Sequence, residues 1–213
     1  VEPSSPISSA FPNLERSRIA LWQKYQCWCS RLGIDYQGET PPSPQDYVAS
    51  MLSILERRGI SLPIAIEPGR YIAGNAGIMV TNVEYLKTNN TPDGQKHFAI
   101  VDAGMNDLLR PALYQAYHDI VPVKQTEQAT GTSYDVVGPV CESADVLGKD
   151  RLLNIAAGEL LAIRSAGAYS FVMANNYNSR VRPPEIMVDG DQLHTIRRRE
   201  TLEELTQAEA ILP

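Results

Sequence analysis

The spacing of apolar positions divides the chain into a helix-and-strand part and a strand-rich part. Behind Ser43 and Pro44, residues Tyr47, Val48, Met51, Leu52 and Leu55 recur at the spacing of one helix face. Ser43 suits the cap of that helix, Pro44 its first turn and Gly59 its end. The next apolar run, Leu62 to Ile66, is unbroken, as in a strand buried on both faces. Strand, helix, strand is the order of a parallel α/β sheet or barrel. After Ala76 the pattern changes. Ile78 to Leu86, Phe98 to Asp102, Tyr134 to Val137, Leu160 to Ser165, Glu185 to Val188 and Gln192 to Arg198 are expected strands, the last two joined at Asp189-Gly190. A helix interrupted at Pro111 is expected between Asn106 and Tyr117, and Thr201 with Glu204 makes a capping box for a last one. Near the start, a Ser- and Pro-rich lead-in, Val1 to Pro12, precedes an irregularly spaced helix candidate, Leu14 to Trp28.

Length limits the first part. A closed eight-stranded α/β barrel needs about 250 residues, whereas this segment offers two strands. Two parallel strands with open edges are not a stable unit, so something else is expected to complete them. With 213 residues, 43% hydrophobic and 21% charged, the chain can still build an ordinary core. Its net charge of −6 argues against a nucleic-acid or anionic-membrane surface. The one basic run, Arg197-Arg198-Arg199, reads as a solvated strand face. No apolar stretch has the length of a membrane span or opens the chain as a signal-peptide core would. Three cysteines fit a reducing cytosol, and Cys27 with Cys29 forms only a CxC, so no metal site is expected. Because Val1 comes first, a processed, trimmed or longer parent chain is expected.

Candidate chemistry falls in five clusters. Gly138-Pro139-Val140-Cys141-Glu142-Ser143-Ala144-Asp145 reads as a loop presenting a thiol and a carboxylate side by side. A thiol is a tunable proton donor near neutrality, and Glu142 can bind an ammonium; the same residues also suit a buried structural Cys beside a solvated Glu. Glu67-Pro68-Gly69-Arg70 ends the apolar run, where Gly69 admits an anion and Arg70 can fork onto it, or a tight turn simply carries an ion pair. Arg110 and Tyr114 are four apart, on one face if helical. Gly167-Ala168-Tyr169 places a Tyr hydroxyl after two small residues, and Asn176 to Arg180 is a polar loop.

EPGR, DAGMNDLLRPALY, GPVCESAD, SAGAY, NYNSR and IRRRET, in this order, resemble the C-terminal half of the diaminopimelate decarboxylase family, pyridoxal-phosphate enzymes of the alanine-racemase-like fold. The resemblance runs from about Leu32 to Glu204 and implies residues 32–75 as the incomplete C-terminal piece of a TIM-type α/β barrel. Residues 76–213 would be an antiparallel β domain with a terminal helix, and 1–31 an unmatched segment. It implies that Glu67 keeps the cofactor's pyridine nitrogen protonated and that Gly69 and Arg70 line the phosphate and carboxylate region. Arg110 and Tyr114 would hold a substrate carboxylate, and Tyr169 would touch cofactor phosphate and substrate. Cys141 would protonate the carbanion left by carbon dioxide, and Glu142 would read the distal amino group of meso-diaminopimelate. In the family those last two serve the neighbouring subunit of a cytoplasmic homodimer. Two departures stand out. None of Lys24, Lys87, Lys96, Lys124 and Lys149 lies in the HYAxKAN-like context of the Schiff-base lysine, and Cys29-Ser30-Arg31 replaces the glycines of the phosphate loop. The isolated chain is therefore expected to be catalytically incomplete, with a homodimer copy or a complementing N-terminal half as partner. The alternatives are a non-catalytic half-subunit or regulatory relic, or another basic amino-acid decarboxylase of the same fold.

Overall fold

The computed structural model describes residues 32–61, 64, 66–92, 94–124 and 131–212. Helix α1, Pro44–Arg57, starts as its sequence dictates: the Ser43 hydroxyl accepts from the Asp46 amide at 3.1 Å, with Pro44 in the first turn. Gly59, at φ +62°, turns the chain out of it. None of the residues of α1 is buried. Its apolar stripe is half-buried at Tyr47, Val48, Met51 and Leu55 and exposed at Leu52. The strand expected at Leu62 to Ile66 falls largely outside the described residues, and Ile64 and Ile66 lie in no strand. The helix candidate Leu14 to Trp28 lies wholly outside them. Helix α2, Gly69–Ala73, follows and runs into a 3-10 turn, Gly74–Ala76.

The remainder is built on a six-stranded sheet. Its strands are β1 Met79–Thr91, β2 Gly94–Val101, β3 Ile120–Pro122, β4 Thr132–Val137, β5 Val146–Leu153 and β6 Leu160–Ile163, in the order β3-β6-β1-β2-β4-β5. All neighbours are antiparallel except β2 and β4, which run parallel. Alternate residues face inward along β1, where Thr81 and Val83 are buried, and along β2, where Ala99 and Val101 are. Val83, Ala99 and Val101 form the core with Ala103, Leu108, Ile120, Val136, Leu147, Leu153, Leu161 and Ile163. A separate hairpin, β7 Glu185–Asp189 and β8 Gln192–Arg197, turns at Gly190 as the Asp-Gly signal requires. It is followed by helix α4, Leu202–Thr206, with the Thr201–Glu204 capping box formed.

One expected helix is shorter than its sequence suggests, and two strands lack the pattern that would announce them. Helix α3 covers only Arg110–Tyr114, and Pro111 sits in its first turn instead of interrupting a longer helix. The preceding residues are held as a loop by side chains described below. Strands β3 and β5 carry no clean alternation: β3 is three residues long and ends in Pro122, while β5 contains Gly148, Lys149, Asp150 and Arg151 in succession. The basic run is exposed, as a solvated face should be, and it also makes surface ion pairs. Arg197 pairs with Glu185 at 2.7 Å and lies 4.5 Å from the Phe171 ring centroid, and Arg198 pairs with Glu204.

Candidate active site

One connection, residues 102–110, reaches both clusters of candidate site residues. Its first residues join the loop that bears Cys141. Asp145, buried under that loop, accepts from the amides of Met105 and Val140, both at 2.6 Å. Gly138 makes room for this carboxylate, because a Cβ there would collide with it and with the Ala103 carbonyl. Asp107, also buried, accepts from the Gly104 amide at 2.9 Å and lies 3.7 Å from Arg180. Arg180 in turn donates to Asn106 Oδ1 at 2.9 Å and to the Asp102 carbonyl at 2.6 Å. The loop Asn176 to Arg180 is thereby locked to the thiol loop. Burial pushes both Asp carboxyls above the ordinary range, while the amides and Arg180 oppose it.

Above this buried clamp the thiol and its neighbour stand in the open. Cys141 is exposed, which removes the buried structural alternative. Glu142 accepts from the Ser143 amide at 2.9 Å, and Tyr177 Oη lies 3.5 Å from its other oxygen. Met105, Asn106, Glu142, Ala144, Asn175 and Tyr177 line a cavity of about 320 Å³ beside it. A carboxylate at the rim of such a cavity suits an ammonium.

The second cluster gathers at Arg110. Its Nη1 donates to Tyr36 Oη at 2.6 Å and to His118 Nε2 at 3.2 Å. The guanidinium lies 4.9 Å from the Tyr36 ring and 6.0 Å from that of Tyr169. Tyr114, one turn further on, is 64% exposed. The loop carrying Tyr169 is tightly wound, with Ser165 at φ +58° and Tyr169 at φ +60°, conformations that cost a non-glycine residue about 1–3 kcal/mol each. Close packing holds it there. Gly167 N donates to Gly74 O and Ala166 N to Gly77 O, and a Cβ on Gly167 would run into the Ala73 carbonyl. Helix α2, with Gly69 and Arg70, is therefore docked against the Tyr169 loop, and Glu67 is exposed just ahead of it.

The structure thus brings Arg110 and Tyr169 together and sets Cys141 beside Glu142. Tyr36 and His118, which complete the arginine cluster, carry no sequence signal beyond being polar aromatic residues near the motifs. Asp145 and Arg180 lie inside the motifs, yet only their burial and partners reveal the clamp. The polar groups fit the edge of a pyridoxal phosphate: an exposed carboxylate, a tyrosine hydroxyl, and a glycine at residue 69 whose Cβ position opens on empty space. The described lysines do not fit its aldehyde. Lys87, Lys96 and Lys149 lie on strands and Lys124 just after β3. Asp135 keeps Lys96 charged at 2.9 Å and raises its pKa.

A sheet domain with polar clusters in its strand-end loops is the C-terminal part of a known class of enzyme. The chain belongs to the pyridoxal-dependent decarboxylases, whose C-terminal sheet domain matches residues 34–167. Diaminopimelate decarboxylase of Vibrio cholerae is 51% identical over 182 residues, 85% of this chain and 42% of that protein. The enzyme of the same name from Pseudomonas aeruginosa is 52% identical over equal shares. The crystal structure of diaminopimelate decarboxylase from Helicobacter pylori complexed with L-lysine superposes with a TM-score of 0.73 at 42% identity, over 84% of this chain and 42% of that one. The chain spans about two-fifths of the length of these curated relatives, 42%.

Proposed function

We propose that this chain is the C-terminal portion of a pyridoxal-phosphate-dependent decarboxylase that converts meso-diaminopimelate to L-lysine and carbon dioxide. Residues 32–75 are the last part of its α/β barrel and 76–213 its β domain, in keeping with a chain that spans 42% of its curated relatives. The single observation that carries the reading is the thiol loop: an exposed Cys141–Glu142 pair on backbone fixed by buried Asp145. A proton donor acting on a substrate outside its own chain needs such rigidity without enclosure.

The cofactor, when bound, supplies an electron sink for the carbanion. This chain's residues do the rest. Glu67 keeps the ring nitrogen protonated, Gly69, Arg70 and Tyr169 line the phosphate side, and Arg110 with Tyr114 binds a substrate carboxylate. Cys141 delivers its Sγ proton to the substrate carbon, and Glu142 receives the distal ammonium. Both serve a neighbouring copy in a homodimer, while a complementing N-terminal half supplies the missing lysine.

The test mixes this chain with a subunit that keeps its lysine but lacks its cysteine, and measures carbon dioxide release. Loss of a positioned proton donor costs about 10²–10⁴-fold in rate, so rescue stands clear of background. Cys141→Ala in this chain abolishes the rescue, and Glu142→Gln weakens it through substrate affinity. A mixed dimer that forms yet stays at background overturns the reading in favour of a non-catalytic half-subunit.

A further inference from the structure

His118 is 0% exposed and lies on the short link between α3 and β3. Its ring sits between two fixed partners. Nδ1 is 3.0 Å from the Arg164 carbonyl oxygen, and Nε2 is 3.2 Å from Arg110 Nη1. A carbonyl cannot donate and a guanidinium cannot accept, so Nδ1 carries the proton and Nε2 offers a lone pair. The rest of the surroundings enforce neutrality. Arg151 Nη2 donates to the His118 carbonyl at 3.0 Å, and the Tyr36 ring meets the imidazole edge-on at 5.4 Å. Asp119, the nearest acid in sequence, is drawn off to Arg164 at 3.4 Å. Burial, with Arg110 and Arg151, moves the imidazole pKa below its ordinary value.

A neutral imidazole is the side chain that spans this gap with a donor at one end and an acceptor at the other. We propose that His118 is the positioning residue of Arg110, holding Nη1 on its Nε2 lone pair so that Nη2 and Nε remain for a substrate carboxylate. Among the described residues those two nitrogens make no hydrogen bond. The carboxylate part of this inference rests on the proposed role of Arg110; the hold on the guanidinium does not. Tyr36 supplies the second acceptor and a ring face, so Arg110 is fixed by its own chain before any ligand arrives.

The experiment is side-chain ¹⁵N spectroscopy of this chain. The expected result is a His118 ring in the Nδ1–H tautomer from about pH 6 to 8 and an Arg110 guanidinium whose Nη signals are split by slow rotation. His118→Asn keeps the reach to Arg164 O but not to Arg110, and is expected to average those signals. His118→Gln, which can place an oxygen near the Nε2 position, is expected to keep them split. An Nε2–H tautomer, or averaged signals already in the parent chain, overturns the proposal, and this reading stands even if His118→Asn does not fold. Titration with meso-diaminopimelate then separates the two claims. Arg110 signals that shift in the parent and in His118→Gln, and about tenfold more weakly in His118→Asn, support both. A guanidinium held by His118 but unmoved by the dicarboxylate supports the hold and overturns the carboxylate-binding role of Arg110 instead.

Discussion

The clusters at Cys141 and at Arg110 share one connection, residues 102–110, but are finished to different degrees. Around Arg110 the chain supplies its own walls: two tyrosine rings, a buried imidazole and a tightly wound loop. Around Cys141 it supplies a floor and, beside Glu142, one open cavity walled by Tyr177. The buried carboxylate of Asp145 fixes the backbone from beneath and leaves thiol and Glu142 in the open. Rigidity and enclosure are thus separate properties. A side chain can be aimed by what lies under its backbone, without being touched itself.

The comparison breaks most visibly at the floor. Asp145→Ala strands the buried Val140 amide and the half-buried Met105 amide, at about 1–3 kcal/mol for a fully buried group, so urea unfolding should show a loss of about 2 kcal/mol or more. Amide exchange should rise first at 138–145. An effect under 1 kcal/mol would mean that the loop is held by something else. Gly167→Ala strikes the other cluster: its Cβ must displace the Ala73 carbonyl, at a cost of about 1–3 kcal/mol, with exchange rising at Tyr169 and α2 but not at Cys141. Tyr36→Phe removes one hydrogen bond from Arg110 and should lower stability by about 1 kcal/mol. The least change belongs to Cys141→Ser, within about 0.5 kcal/mol of the parent, although the parent thiol should react with a disulfide reagent without prior unfolding.

Acidity sharpens the same contrast. Asp107 and Asp145 have folded pKa values above the ordinary 3.8, so they favour the folded state when protonated. Their contribution to stability declines as pH rises from about 4 through those raised values. The C-terminal network has the opposite sign. Arg182 holds Glu200 at about 2 and Arg198 holds Glu204 at about 2. Their stabilisation is present above 4.5 and is lost as pH falls toward 2. Urea midpoints of Arg182→Gln between pH 2 and 6 should lack part of the acid-side loss, while the Asp145 variant should lack part of the opposite slope.

Much of the fold was legible where local rules decide it. The Ser43 cap, the Gly59 stop, the Asp189-Gly190 hairpin and the Thr201–Glu204 box each depend on neighbours within a few residues. Strand β5 was not, because Lys149 to Arg151 interrupt any alternation and Asp150, at φ +54°, needs partners across the sheet: its amide donates to Asp135. The motifs named Cys141, Glu142, Arg110 and Tyr169, while Asp145 and Tyr36 act on residues 40 and 74 positions away and His118, eight positions from Arg110, meets it outside any helical spacing.

The order of the strands has a kinetic consequence. Strand β1 pairs with β2, its successor, but also with β6, about eighty residues later, and β6 alone connects β3 to the sheet. Within this sheet, the β1–β2 and β4–β5 pairs alone join strands that follow one another in the chain. Sheets dominated by distant pairings assemble slowly, in milliseconds to seconds. During synthesis the two local pairs can form as each is completed, yet the exposed side of β1 must wait. Until Leu160–Ile163 leave the ribosome, that edge is open to any other strand that meets it.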